Sequence, residues 1–270
     1  MRSIEFPPLG RKTSRIGLGC GRLVGRSSFR ASARVVEKAL DLGIRYFDVA
    51  PSYGLGTADE VLGEVLGDSH EVIVATKVGV PRPIYSAKAD LARRMAKTVL
   101  DRVAPLKKMI LGARGSNASD RPRYDFSDSA IRASIEESLR KLRRASVDVF
   151  LAHEPHPSDL DGDLAARFER LRQEGMIAAY GVGIGAKSDR WSPFGSIWQS
   201  AWPGSELAGY SGEVQYIWHG AIRGRGEGPS SPRPAAAAVR LALDASPHSV
   251  LLVSASTPAR LAQLLDEVEG

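Results

Sequence analysis

The chain is expected to fold as a closed (β/α)8 TIM barrel, a parallel eight-stranded member of the α/β class. Three observations lead there. Short apolar runs bounded by turn residues alternate with stretches of helical period, and that alternation implies a parallel sheet with helical crossovers. Eight such runs fit within the 270 residues, which favours a closed barrel. Titratable residues recur at the C-terminal ends of three of these runs, the end where barrels of this kind build their sites. No linker divides the chain, so 1–270 reads as a single barrel domain with an insertion at about 81–126.

The elements follow in order. Ile16–Gly19 is the first strand, leading through glycines and serines to a helix over 33–42, where Val35, Val36, Ala39 and Leu40 form one apolar stripe. The second strand, Tyr46-Phe47-Asp48-Val49, runs into a Pro/Ser/Gly turn that carries Tyr53. Thr57-Ala58-Asp59-Glu60 reads as a capping box opening the next helix. The third strand is 72–77, ending in Lys77. The insertion then supplies an extra amphipathic helix (Leu91, Met95, Val99, Val103) and a Gly/Ser/Arg/Pro-rich loop; loops this long are usually functional or disordered. A helix over 127–144 precedes the fourth strand, Val147–His153, and a helix over 164–174 precedes the fifth, 179–183. The sixth and seventh strands are placed at 196–199 and 213–217; a helix started by Pro234, a strand at 249–253 and a helix over 258–268 complete the chain.

Three apolar strands thus deliver Asp48, Lys77 and His153 at or near their C-terminal ends, with Tyr53 just beyond the first. The two-residue period of a strand turns Tyr46 and Asp48 to one face, Phe47 and Val49 to the other. An aspartate buried among residues this apolar needs a cation or several donors to meet it. Lys77 is a candidate partner, because parallel neighbours lie only about 4.8 Å apart.

These residues carry a resemblance. The run from Gly43 to Gly54 (GIRYFDVAPSYG), followed by Glu60-Val61-Leu62-Gly63, Ala75-Thr76-Lys77-Val78-Gly79 and the Leu-Ala-His strand ending, resembles the aldo-keto reductase family. The resemblance implies a catalytic tetrad of Asp48, Tyr53, Lys77 and His153 acting with a nicotinamide cofactor on a barrel. The chemistry suits the residue types. Carbonyl reduction needs a proton for the oxygen while hydride reaches the carbon, and a free tyrosine (pKa about 10) serves poorly unless a nearby cation lowers that value. Lys77 supplies the cation, Asp48 holds it, and His153 orients the carbonyl oxygen.

Thr257 and Pro258 suit the cap and first position of the last helix. Backbone N–H groups, the hydroxyls of Ser256 and Thr257, and Arg260 then cluster at a helix N-terminus as an anion site, after the strand where barrels often bind phosphate. This stretch resembles the family's segment for the adenosine 2′-phosphate. Arg260 falls on its arginine, Ser254 stands where many members have lysine, and Gln263 lies in the adenine-side Glu-Asn position. NADP (as NADPH) is the cofactor this implies, with NAD possible. Gly19 and Cys20, ending the first strand, join the cofactor residues, and Gln199 matches the glutamine for the nicotinamide carboxamide. Gly183-Ile184 replace the family's Ser-Asn pair. Trp218 is chosen as the aromatic stacked on the nicotinamide, with Tyr216 as its rival; Glu154 suggests a polar or hydroxylated substrate.

Composition narrows the rest. A 43% hydrophobic content supports a sizeable core, and lone Cys20 excludes an internal disulfide framework, as expected of a cytoplasmic protein. No run approaches the ~20 apolar residues that span a bilayer, and the N-terminus lacks the apolar core of a signal peptide, so no membrane partner is expected. The net charge is +6, but the arginines are scattered and no aromatic-basic interleaving appears, so nucleic acid is not the expected partner. A small-molecule carbonyl or alcohol is; the oligomeric state is not legible. Two rivals stand beside this reading: a barrel that keeps the cofactor without turnover, and a metal-dependent hydrolase using His153-Glu154-Pro155-His156 with Asp48. The latter spacing sits on a Pro-broken loop rather than a helix face, and no metal is expected.

Overall fold

The computed structural model describes residues 1–23, 28–82, 124–185, 194–202, 214–223 and 234–270. The expected extra helix around Leu91 to Val103, and nearly all of the 81–126 insertion, lie outside the described residues. Met1–Arg82 together with Tyr124–Gly270 form one unit, a closed barrel.

Two short strands, β1 (Ser3–Phe6) and β2 (Arg11–Ser14), form an antiparallel hairpin that the sequence reading missed. Eight parallel strands follow: β3 (Ile16–Gly19), β4 (Tyr46–Asp48), β5 (Ile73–Val78), β6 (Val147–His153), β7 (Ile177–Gly183), β8 (Ile197–Ala201), β9 (Gln215–His219) and β10 (Val250–Val253). Each pairs with its successor, and β10 closes the barrel on β3 with Leu251 opposite Ile16. The described helices are α1 (Phe29–Asp41), α2 (Ala58–Leu66), α3 (Asp128–Leu142), α4 (Gly162–Gln173), α5 (Ala235–Ala245) and α6 (Pro258–Glu269).

Strand alternation divides the apolar residues into two cores. Tyr46, Ile73, Val149, Leu151, Ile217 and Leu252 fill the barrel interior, where Phe6 of the hairpin joins them, its ring 5.8 Å from that of Tyr46. Phe47, Val74 and Phe150 point outward and pack with α1 to α6 through side chains such as Val36, Leu62, Ile135 and Phe168. The hairpin's signal in the sequence was Pro7-Pro8-Leu9-Gly10 between two short alternating runs.

Caps explain where most helices start. Ser28 accepts from the Ala31 N–H at 3.2 Å, so α1 begins at Phe29, earlier than residue 33. Ser127, Asp161 and Thr257 cap α3, α4 and α6 in the same way. The capping box expected at Thr57 does not form. Its hydroxyl instead donates to the Gly54 carbonyl at 2.7 Å, because the left-handed turn before α2 presents that oxygen to it. One glycine is sterically required where α2 meets α3: a Cβ on Gly63 would lie 2.2 Å from the Lys141 carbonyl oxygen.

Candidate active site

The register of β4, β5 and β6 brings Asp48, Lys77 and His153 to the C-terminal mouth. Asp48 pairs with Ala75, two residues before Lys77, and Lys77 pairs with Leu151, two before His153. All three side chains share the inward parity of Tyr46, Ala75 and Leu151. Lys77 donates from Nζ to Asp48 Oδ1 at 2.5 Å and to the Val49 carbonyl at 3.0 Å, and the two side chains are 1% and 3% exposed. Burial alone would lower the Lys77 pKa. The adjacent Asp48 carboxylate, with Tyr53, outweighs burial and raises it, so the ammonium is kept.

Tyr53 opens a short 3-10 turn, Tyr53–Gly56, just past β4. Its ring stands edge-on to His153, with centroids 6.1 Å apart, and Lys77 Nζ lies 5.0 Å from its centroid. Here the structure differs from expectation. Burial raises the Tyr53 pKa above its ordinary value, and the lowering exerted by Lys77 is too small to reverse it. Tyr53 therefore holds its proton at neutral pH.

His153 is pushed the other way, down to about 3, by burial, then by the Lys77 charge and by His219. Its imidazole is neutral, and Nδ1 is buried with no hydrogen-bond partner among the described residues. His219 was missed by the sequence reading. It ends β9 with the inward parity of Ile217, and its Nε2 donates to the Ile184 carbonyl at 2.9 Å.

The same shift corrects the stacking aromatic. The seventh strand is Gln215–His219, two residues later than expected, so Trp218 does not end it. Trp218 and its rival Tyr216 both face the outer core, stacked with centroids 5.3 Å apart. The inward aromatic at that strand end is His219.

The remaining candidates divide. Gln199 faces inward, 3% exposed, and its Oε1 is buried with no partner among the described residues. Gly19 and Ser254 are joined, the Ser254 hydroxyl donating to the Gly19 carbonyl at 2.9 Å, so that hydroxyl ties β3 to β10. Cys20 is fully buried in the outer core with Sγ toward the Leu18 carbonyl, leaving only its backbone for a ligand. Thr257 accepts from the Arg260 N–H at 3.3 Å, Ser256 is half-buried beside it, and the exposed Arg260 guanidinium has no partner among the described residues. Gln263, expected on the adenine side, bonds Glu267 at 2.9 Å, one turn further along α6.

Glu154 is engaged as well. Its Oε1 accepts from the Gly185 N–H at 2.5 Å, its own N–H bonds the Gly183 carbonyl at 2.8 Å, and its φ is +55°. Its carboxylate straps the end of β6 to the loop after β7, where the sequence reading had it meeting substrate. Two residues of the rival metal reading are already engaged: Asp48 is held by Lys77, and His156 Nδ1 caps the turn at Pro157–Asp159, 2.7 Å from Ser158 Oγ. No group of three or more His, Cys, Asp or Glu side chains could hold a metal ion among the described residues. No helix among them is long and apolar enough to cross a membrane.

Fold and site define the class: a (β/α)8 barrel with Asp48, Tyr53, Lys77 and His153 gathered at its C-terminal mouth. The chain belongs to the aldo/keto reductase family, whose model matches residues 15–190. It is 33% identical over 186 residues to a D-threo-aldose 1-dehydrogenase from a Pseudomonas species, a match covering 67% of this chain and 50% of that protein. It is 29% identical over 204 residues to a pyridoxal 4-dehydrogenase from Microbacterium luteolum, covering 68% and 56%. The chain thus spans about half the length of the curated relatives it matches. Among solved structures, an aldo-keto reductase from Bacillus halodurans in its holo form superposes with a TM-score of 0.67 at 19% identity, covering 100% of this chain and 91% of that one. A glycerol dehydrogenase from Gluconobacter oxydans gives 0.65 at 20%, covering 99% and 90%. These two likenesses speak to the fold.

Proposed function

We propose that the protein is an oxidoreductase that interconverts a carbonyl and its alcohol with a nicotinamide cofactor, NADP(H) in preference to NAD(H), and with Tyr53 as proton donor and acceptor. The observation that carries this reading is the buried Lys77–Asp48 pair lying against a protonated Tyr53 and a neutral His153. The cofactor fits the residues present. Among the described residues neither the buried Oε1 of Gln199 nor the Arg260 guanidinium has a partner, so Gln199 is suited to the carboxamide, His219 to one face of the ring, and Ser256, Thr257 and Arg260 at the start of α6 to a phosphate. When bound, such a cofactor supplies or accepts the hydride.

The chain's own residues handle the proton. Tyr53 gives its hydroxyl proton to the carbonyl oxygen, and Lys77 stabilises the phenolate left behind until a proton returns. Neutral His153 has one ring N–H to offer the same oxygen, orienting it without adding charge. Asp48 keeps the ammonium in place. A protonated Tyr53 favours reduction at neutral pH; oxidation should rise with alkaline pH as the phenol ionises. The names of the relatives point to hydroxylated aldehydes and sugars as first substrates to try, and lone buried Cys20 suits a cytoplasmic setting.

The decisive experiment is turnover by Tyr53→Phe on a panel of aldoses and aromatic aldehydes. We expect turnover to vanish while cofactor binding, followed by fluorescence, stays near wild type. Retention of more than about a tenth of kcat, a loss of only ~1.4 kcal/mol, overturns the assignment. Wild type that binds NADPH but turns over nothing would favour the non-catalytic reading that Gly183-Ile184 suggest.

A further inference from the structure

Beyond the tetrad, the turn that carries Tyr53 is held by charges the mechanism does not use. Three consecutive residues of that turn are left-handed, Gly54 (φ 58°), Leu55 (φ 59°) and Gly56 (φ 86°). Leu55 has a Cβ, so this conformation is strained and must be imposed from outside. The Gly56 carbonyl, which ends the turn, accepts from two cationic side chains: Arg82 Nη1 at 2.7 Å and Lys141 Nζ at 3.2 Å. Lys141 is itself held by Glu60 Oε1 at 2.6 Å. The other arm of the Arg82 fork, Nη2, donates at 2.7 Å to Oδ2 of Asp59, whose side chain is 0% exposed. Ser138 Oγ lies 3.4 Å from the same oxygen, and Asp59 Oδ1 has no partner among the described residues.

A first-turn aspartate on α2 would serve the helix dipole from the surface as well. Full burial adds desolvation, and a buried ion pair is seldom more stabilising than apolar residues of the same size; its best-attested value is in specifying geometry. The geometry specified here is a planar guanidinium locked by Asp59 with its second arm on Gly56. We infer that Arg82, oriented by Asp59, is a positioning residue that fixes the Tyr53–Gly56 turn and so holds the phenol against Lys77. This rests on the reading of Tyr53 as the proton donor, and the test separates the two.

The double variant Arg82→Met/Asp59→Asn removes the clamp without leaving a buried charge unpaired. Two readouts are taken on it. The first is kinetic: kcat should fall about ten- to a hundredfold, the scale of a displaced reacting group, while KM for the carbonyl stays within about threefold and circular dichroism shows a folded barrel. The second needs no turnover. In protein carrying 13C-labelled tyrosine, the Tyr53 signal is identified by its loss in Tyr53→Phe and titrated with pH. Lys77, Asp48, His153 and Cys20 are the groups that face Tyr53, and the variant leaves all four in place. A loosened turn should expose the phenol and bring its titration down toward that of free tyrosine. Arg82→Lys keeps the charge but not the fork, and should show both effects more weakly; it carries the same test if the double variant does not fold. Unchanged Tyr53 titration with kcat within about twofold of wild type, or a loss of kcat that merely follows the unfolded fraction, overturns the inference. If Tyr53→Phe itself turns over, the catalytic reading fails, while the titration still reports on the clamp.

Discussion

Lys77, 1% exposed, keeps its charge chiefly because Asp48 stands 2.5 Å away, with a smaller contribution from Tyr53. Removing one member of such a pair leaves the other buried without its counter-charge, typically a loss of about 3–5 kcal/mol. We expect Lys77→Met to lose stability on that scale in urea titration, and Lys77→Met/Asp48→Asn to recover most of it. Loss in the double variant equal to the sum of the two single losses would show that the charges do not interact. His153 sets the acid limit. Its pKa is lowered to about 3 from an ordinary 6.5, so between these values the unfolded chain binds a proton that the folded chain refuses. Stability therefore falls as pH drops below about 6.5, by about 2 kcal/mol at pH 5, since each unit corresponds to ~1.36 kcal/mol. His153→Gln should lose that much less between pH 7 and pH 5; parallel curves for the two proteins would contradict the buried neutral imidazole.

At the scale of elements, most helices were legible because periodicity and caps are local. The helix start at Thr57 was read correctly, yet for the wrong reason, since its hydroxyl serves the Gly54 carbonyl. Short strands were harder. A two-residue displacement of the seventh strand preserved the inward and outward faces of β9, but moved its end from Ile217 to His219, and the aromatic chosen there, Trp218, faces the outer core. Packing between elements left almost no local trace. Gly63 reads as an ordinary helix residue, although its missing side chain lets α2 approach the Lys141 carbonyl. Gly63→Ala improves helix propensity and should still destabilise the protein, by about 1–3 kcal/mol as overpacked sites do. A rise in melting temperature would show that α2 and α3 can part freely.

At the scale of the molecule, barrel closure brings the end of β3 beside the end of β10, where the Ser254 hydroxyl meets the Gly19 carbonyl. The start of α6 follows, with Arg260 unpaired there among the described residues. If this corner holds the 2′-phosphate, Arg260→Ala should weaken NADPH by roughly ten- to a hundredfold, as a charge-assisted contact of about 1.5–3 kcal/mol requires. NADH should change by less than about threefold, and salt should erode the wild-type preference. Equal weakening of both cofactors, measured by fluorescence titration, would make Arg260 a surface charge.

The amino-acid sequence by itself determined the barrel, the two-faced strands, the three polar residues at or near their ends and Tyr53 in the turn beyond, because period, turn residues and strand endings are written locally. Only the tertiary structure decided what those residues are. Burial, a property of the whole barrel, keeps the proton on Tyr53 and takes it from His153, although the sequence reading expected the Lys77 charge to govern the tyrosine. Distance along the chain likewise hid the Arg82–Asp59 clamp, the strap from Glu154 to Gly185 and the hairpin whose Phe6 joins the barrel interior. Each depends on where closure of the sheet places groups that no local pattern connects.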